Sequence, residues 1–254
     1  MKIAVVFFIH KDTFEEFELI STRSVFSNFT EREVYVVVPE KISDKVNSIL
    51  LREGFKNFCL MQLSDNCFKS ISSYNFLLTS KDFYQRFVEF DFILITQLDV
   101  LIKNDTLDYW AYKNFSYIGA PWLTQDTGLS ELIVGNGGLS LRKVSDFIKY
   151  ASNSTVLKYP QWYLRKKNIP KLYDPLINFI VSLRLLRKIL RRRTFEDFFW
   201  SQMIGGHVYD FKIASGSEAS QFAIEKVPVE NIPTLEYLVG YHAFQKYLSE
   251  SEWR

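Results

Sequence analysis

Three short stretches of this 254-residue chain bring chemically capable side chains close together. The first is Gln97-Leu98-Asp99, at the end of an apolar run, Phe92–Ile95. A carboxylate there can bind a divalent cation that holds a diphosphate, because hard cations take oxygen ligands. The same Asp could equally cap a loop. The second is Val134–Arg142, with Gly135, Gly137 and Gly138 in one turn. Glycine lets backbone amides approach a ligand and tolerates positive φ, and Arg142 could face an anionic group. Structural turns use glycine as readily. The third, Glu196-Asp197, opens an aromatic-rich helix, where acidic residues serve the orphan amides and the dipole. Alternatively, a carboxylate there acts as a general base. Trp122, after Gly119-Ala120-Pro121, is either a stacking platform or a core ring. Histidines occur only at 10, 207 and 242.

These residues need a scaffold, and the hydrophobic pattern supplies one. Ile3–Ile9 is a continuous apolar run, as a buried parallel strand requires. Residues 13–28 place Phe14, Phe17, Leu19, Ile20 and Val25 at helical spacing. Val34–Val38 reads as a second strand, 41–52 as a helix closed by Gly54, and Asn57–Gln62 as a third strand. A helix over about 80–90, carrying Phe83, Phe87 and Phe90, leads into the strand before Asp99. This βαβαβ opening predicts an α/β fold, a doubly wound nucleotide-binding sheet flanked by helices, with its ligand at the strands' carboxyl ends. Asn114–Leu141 predicts strand–loop–strand. Asp174–Arg193 reads as an apolar helix with a basic end. No repeat or boundary divides the chain, so one domain is expected over 1–254. Residues 1–100 would form a nucleotide-binding half and 101–254 an acceptor-binding and catalytic half.

Composition limits the alternatives. With 31 Lys plus Arg against 29 Asp plus Glu, the net charge is +2, without the basic excess of a nucleic-acid binder. Cys59 and Cys67 fit neither a metal-ligand nor a disulfide-scaffold pattern, which suits a reducing cytoplasm. Met1–His10 is too short for a membrane span and lacks a cleavage site, and no later stretch is long enough to span. The expectation is a cytoplasmic chain. The cations of the Arg184–Arg193 helix form a solvated face or dock on an anionic inner leaflet, making the protein peripheral there.

The blocks Asp91–Asp99, Ile118-Gly119-Ala120-Pro121-Trp122, Val134–Arg142, Glu196-Asp197, the Ile213–Glu225 segment and Gly240-Tyr241-His242-Ala243 resemble a family of bacterial glycosyltransferases found largely in polysaccharide loci. The likeness spans about residues 70–247. The order Asp, glycine-rich turn, Glu-Asp, His is also remotely similar to fringe and core-1 type β1,3-glycosyltransferases. The resemblance implies a GT-A-like Rossmann-type mixed sheet in a single domain. It also implies transfer of a hexose or N-acetylhexosamine from a UDP-sugar to a hydroxyl of a glycan or lipid-linked glycan, with inversion. Capsule, lipopolysaccharide or another glycoconjugate would be the product.

The resemblance also implies roles. Asp99 and His242 would hold Mn²⁺ (or Mg²⁺), and Gln97 would face the sugar or ribose as a neutral group. GT-A enzymes usually carry Asp-x-Asp where this chain has Gln97-x-Asp99. Asp197 would be the base, with Glu196 orienting the acceptor. Gly137 and Gly138 would lie at the donor, and Trp122, Asn136 and Arg142 at the acceptor. His10 and Lys11, at the end of the first strand, are placed at the donor by position. Two rivals are a non-catalytic glycan- or nucleotide-binding protein of the same fold, kept open by Gln97, and a metal-dependent phosphohydrolase.

Overall fold

A computed structural model describes residues 1–123, 132–152, 195–205, 208–226 and 234–253. The basic helix expected near 175–193 and His207 lie outside these residues. Among the described residues, no helix is long and apolar enough to cross a membrane.

The chain begins β1 (Ile3–Phe8), α1 (Glu16–Asn28), β2 (Glu33–Pro39), α2 (Ser43–Arg52), β3 (Cys59–Leu63), α3 (Ile71–Leu78), α4 (Lys81–Gln85) and β4 (Phe92–Gln97). It continues β5 (Val100–Ile102), α5 (Leu107–Tyr112), β6 (Tyr117–Gly119), β7 (Pro121–Leu123), β8 (Leu132–Val134), β9 (Leu139–Lys143) and α6 (Val144–Ser152). Later come α7 (Glu196–Phe198), which runs on as a π-helix Phe199–Ile204, then α8 (Gly216–Phe222), β10 (Ala223–Ile224) and β11 (Gly240–His242).

The main sheet has the order β3-β2-β1-β4-β9-β6. Its first four strands are parallel, whereas β9 and β6 pair antiparallel. Every residue of β1 is buried, as covered faces demand of a central strand. Because β2 and β3 lie on one side of β1 and β4 on the other, strand order reverses between β1 and β4. A crevice opens at that point.

Two expectations change. The inner face of α1 is polar, burying Glu18, Ser21 and Thr22 beside Val25. These side chains have work to do: Ser21 Oγ donates to the Gln97 carbonyl at 3.4 Å, and the Ile102 amide donates to Ser24 Oγ at 3.0 Å. The helix expected near 80–90 stops at Gln85. Beyond it, Phe87 and Phe90 donate amides only three residues back, to Tyr84 and Phe87, so the chain coils in tight turns. Their rings stay buried.

Part of the aromatic content gathers in one core cluster around Trp200. Trp200 lies 4.3 Å from Phe147, 5.8 Å from Phe211 and 5.9 Å from Tyr84, centroid to centroid. Offset and edge contacts of this kind add to burial. They anchor the Glu196–Ile204 segment, whose Trp200 indole also donates to the Leu78 carbonyl at 2.8 Å.

Candidate active site

Strand register explains how distant residues meet. In the β4–β9 ladder Thr96 faces Leu139, so Gly138 lies beside Gln97. Asp99 occupies the two-residue turn between β4 and β5. In the β5–β11 ladder Val100 faces His242, which sets the imidazole beside that turn. Ala243 then adopts φ +50°, a left-handed conformation in which a Cβ is strained, and Phe244 donates its amide to the Asp99 carbonyl at 3.4 Å.

A cleft of about 490 Å³ opens at the carboxyl ends of β1 and β4. His10, Lys11, Glu18, Tyr74, Gln97 and Asp99 line it. Burial, with Lys11 adding to it, lowers the His10 pKa, so this ring is neutral at pH 7. Lys11 Nζ lies 2.8 Å from the buried carboxylate of Glu18. Gln97 Nε2 donates to Tyr74 Oη at 2.8 Å, which fixes the amide at the cleft wall.

On the far side of Asp99 stands the glycine turn. Asn136 Oδ1 accepts the Gly138 amide at 2.8 Å. Its Nδ2 lies 2.8 Å from Glu225 Oε2 and 2.9 Å from His242 Nδ1. A Cβ on Gly138 would sit 2.3 Å from His242 Nε2, so only glycine lets the ring lie against the turn. Trp122 packs on Gly135 in the same way, half-buried, with a Cβ there 2.3 Å from its ring.

Behind the turn lies a buried ion pair. Arg142 donates to both carboxylate oxygens of Glu196, at 2.8 and 3.0 Å, a bidentate arrangement. Its remaining donors reach Tyr84 Oη, Ser140 Oγ and the Gly137 carbonyl. Arg142 is expected at the acceptor, but its side chain is 0% exposed and Glu196 only 6%. Both are turned into the fold, and their contacts position the turn. Among the described residues, Asp197 has no such side-chain partner in its hydrogen bonds. Burial, reinforced by the charge of Glu196, pushes its pKa up to about 7, against hydrogen bonds from the backbone of Phe198 and Gly137.

The structure thus gathers Gln97, Asp99, Asn136, Gly137, Gly138, Glu196, Asp197 and His242 around one turn, with His10 and Lys11 across the cleft. Residues that sequence reasoning missed are Tyr74, Tyr84, Ser140, Glu18 and Glu225. The polar inner face of α1 was the available signal for Glu18. The tyrosines carried none.

As a metal shell, the expected pair is incomplete. Asp99 Oδ1 and His242 Nε2 are 3.6 Å apart, a spacing that suits two ligands each about 2.1 Å from one ion. Ligation also needs a lone pair on Nε2, which depends on the tautomer of a ring whose Nδ1 lies 2.9 Å from Asn136 Nδ2. Among the described residues, no three His, Cys, Asp or Glu side chains group to hold a metal.

Comparison with known proteins agrees with the architecture. The central mixed sheet flanked by helices is the GT-A-like glycosyltransferase fold. Mouse xyloside xylosyltransferase 1 superposes with a TM-score of 0.50 at 14% identity, over 89% of this chain and 88% of that one. The galactosyltransferase LgtC, solved with donor and acceptor sugar analogues, gives 0.45 at 16% identity, covering 88% and 76%. The apo glycosyltransferase GlyE of Streptococcus pneumoniae gives 0.49 at 12%, covering 98% of this chain and 55% of that one. By sequence, the chain belongs to the DUF5672 family, described as a protein of unknown function, which matches residues 57–242. No curated protein sequence matches it.

Proposed function

We propose that the chain is a glycosyltransferase that moves a hexose or N-acetylhexosamine from a UDP-sugar to a hydroxyl of a glycan or lipid-linked glycan, with inversion. The observation that carries this reading is the cleft at the β1–β4 reversal, which runs from neutral His10 past Gln97 to Asp99. Open α/β sheets bind nucleotides at this position. In the transfer, the acceptor oxygen attacks the anomeric carbon as the bond to the UDP oxygen breaks. Asp197 takes the acceptor proton, a role its pKa near 7 suits. Glu196 and Arg142 hold the turn that carries Gly137 and Gly138, and Trp122 offers a ring face to the acceptor. Of the pair expected to hold Mn²⁺ or Mg²⁺, Asp99 is an open oxygen ligand and His242 is not in ligand form.

The direct test is calorimetric binding of UDP, GDP and CDP, followed by UDP-sugar turnover with a panel of glycan acceptors. UDP preference with transfer supports the reading. Preference for another nucleotide, or no transfer with any donor, overturns it. Binding without turnover would favour the non-catalytic alternative, to which the neutral Gln97, fixed on Tyr74, lends support. A lipid-linked acceptor would place the reaction at a membrane face, a proposal that liposome flotation of the intact protein checks.

A further inference from the structure

The side chain of Asn136 makes three hydrogen-bonding contacts, and they admit only one arrangement of protons. Its amide could be turned over, exchanging Oδ1 and Nδ2, and the surroundings choose between the two settings. The Gly138 N–H, 2.8 Å from Oδ1, demands an acceptor. The Glu225 carboxylate, 2.8 Å from Nδ2, demands a donor. Turning the amide over would set donor against donor and acceptor against acceptor. The NH₂ group therefore faces Glu225 and His242, and it has one hydrogen for each.

The second hydrogen reaches His242 Nδ1 at 2.9 Å. That nitrogen must accept, so it carries no proton. The carboxylates near the ring do not compete: Glu225 Oε1 is 3.9 Å from Nδ1 and Asp99 Oδ1 is 3.6 Å from Nε2, both beyond hydrogen-bond range. A neutral imidazole with a bare Nδ1 has its proton on Nε2. Nε2 is the atom packed against Gly138, on the Asp99 and Gln97 side of the ring.

We infer that Asn136 is a positioning residue that keeps His242 in the Nε2–H form. His242 then meets the donor cleft as an N–H hydrogen-bond donor for an anionic oxygen, the kind a nucleoside diphosphate presents, and not as a metal ligand. Ligating histidines ordinarily donate their other N–H to a carboxylate or carbonyl. Here an amide NH₂ occupies that nitrogen, and the nearby Glu225 is turned to the amide. Only the identity of the oxygen rests on the reading of the cleft as a UDP-sugar site. The tautomer stands on geometry alone.

Long-range ¹H–¹⁵N correlation on histidine-labelled full-length protein reads the tautomer directly. Substitution of His10 and His207 by Asn leaves His242 as the single signal. The expected spectrum, without metal and again with Mg²⁺ added alone, shows the proton on the nitrogen coupled to both ring C–H groups, which is Nε2. A proton on Nδ1 in either condition overturns the inference. In Asn136→Ala the constraint is gone, and the ring is expected to become a mixture or to donate from Nδ1 to Glu225. An unchanged tautomer would refute the role given to Asn136. Should that variant fail to fold, the wild-type spectrum still decides. UDP affinity in EDTA and in Mn²⁺ is expected to agree within about tenfold. A much larger gain with Mn²⁺, accompanied by a shift of the proton to Nδ1, would return His242 to the metal. Loss of UDP binding in both buffers, with Nε2–H intact, would overturn the diphosphate reading and leave the tautomer standing.

Discussion

Asp197 and Glu196 are adjacent carboxylates with opposite fates. Glu196 takes Arg142 as a bidentate partner, whereas Asp197 offsets its burial only with backbone amides and the more distant charge of Arg142. An acid so placed resists ionisation, and its pKa is pushed up to about 7. Two consequences follow from that one number. If Asp197 is the base, kcat/KM should climb as pH rises through about 7, and Asp197→Asn should cost on the order of 10²–10⁴ in rate, the usual worth of a general base. For stability, the folded pKa lies above the unfolded 3.8, so the folded state is favoured at low pH. That advantage is lost as pH rises from about 4 toward 7. Asn does not titrate. Thermal unfolding should therefore show Asp197→Asn gaining on the wild type between pH 5 and pH 8. A constant difference would mean that Asp197 is not buried as described. The sequence offered this pair only as a cap or a base. It could not say which carboxylate faces inward, because that depends on Arg142, 54 residues away.

Between Val134 and Leu139 one turn serves two purposes, and its glycines separate them. A Cβ on Gly137 would meet Glu196 Oε1 at 2.0 Å and Arg142 Nη2 at 3.2 Å, both inside the buried pair. A Cβ on Gly138 would meet His242 Nε2 at 2.3 Å, beside Asp99, and Gln97 Oε1 at 2.8 Å, on the cleft wall. Gly137→Ala should thus lose on the order of 3 kcal/mol of stability, the scale of a disturbed buried ion pair. Gly138→Ala should unfold with a loss of about 1–3 kcal/mol, as overpacking predicts, yet lose most of its nucleotide affinity. Denaturant unfolding beside UDP calorimetry tells the two apart, and equal effects on both quantities would remove the distinction. At this scale the sequence was readable in part. Strands β1, β2 and β4 announced themselves because each carries a continuous buried apolar run, Ile3–Phe8, Val36–Val38 and Phe92–Ile95. The inner face of α1 misled, since three of its buried side chains are polar: Ser21 bonds the end of β4, Thr22 its own helix, and Glu18 the Lys11 ammonium and the Glu15 amide. His242 could be placed only by resemblance, because its position depends on β11 pairing with β5 across 140 residues.

The whole molecule joins a parallel half, β3-β2-β1-β4, to antiparallel strands β9 and β6 that carry the turn. The βαβ opening made the first half legible from periodicity. The second half consists of strands two to five residues long, too short for periodicity to show. Beside the β4–β9 ladder, the pair Arg142–Glu196 ties the halves together. Arg142 stands on β9, reaches Tyr84 of α4, and grips Glu196, whose own amide donates to Asn75 of α3 at 3.3 Å. A buried pair of this kind is weak evidence for net stability, because desolvating two charges offsets their attraction, but breaking it strands the survivor. Glu196→Leu alone should therefore cost about 3–5 kcal/mol, and Arg142→Met alone a similar amount. The double variant should recover most of that loss, since two apolar side chains of like volume leave no charge unpaired. A double-mutant cycle measured by denaturant unfolding gives the coupling directly. The recovered double variant should still bind and turn over donor poorly, because the Gly137 carbonyl and the Asp197 backbone have lost the groups that position them. If stability and activity both return, the pair is dispensable to the site. If neither single variant is destabilised, Arg142 and Glu196 do not hold the halves together.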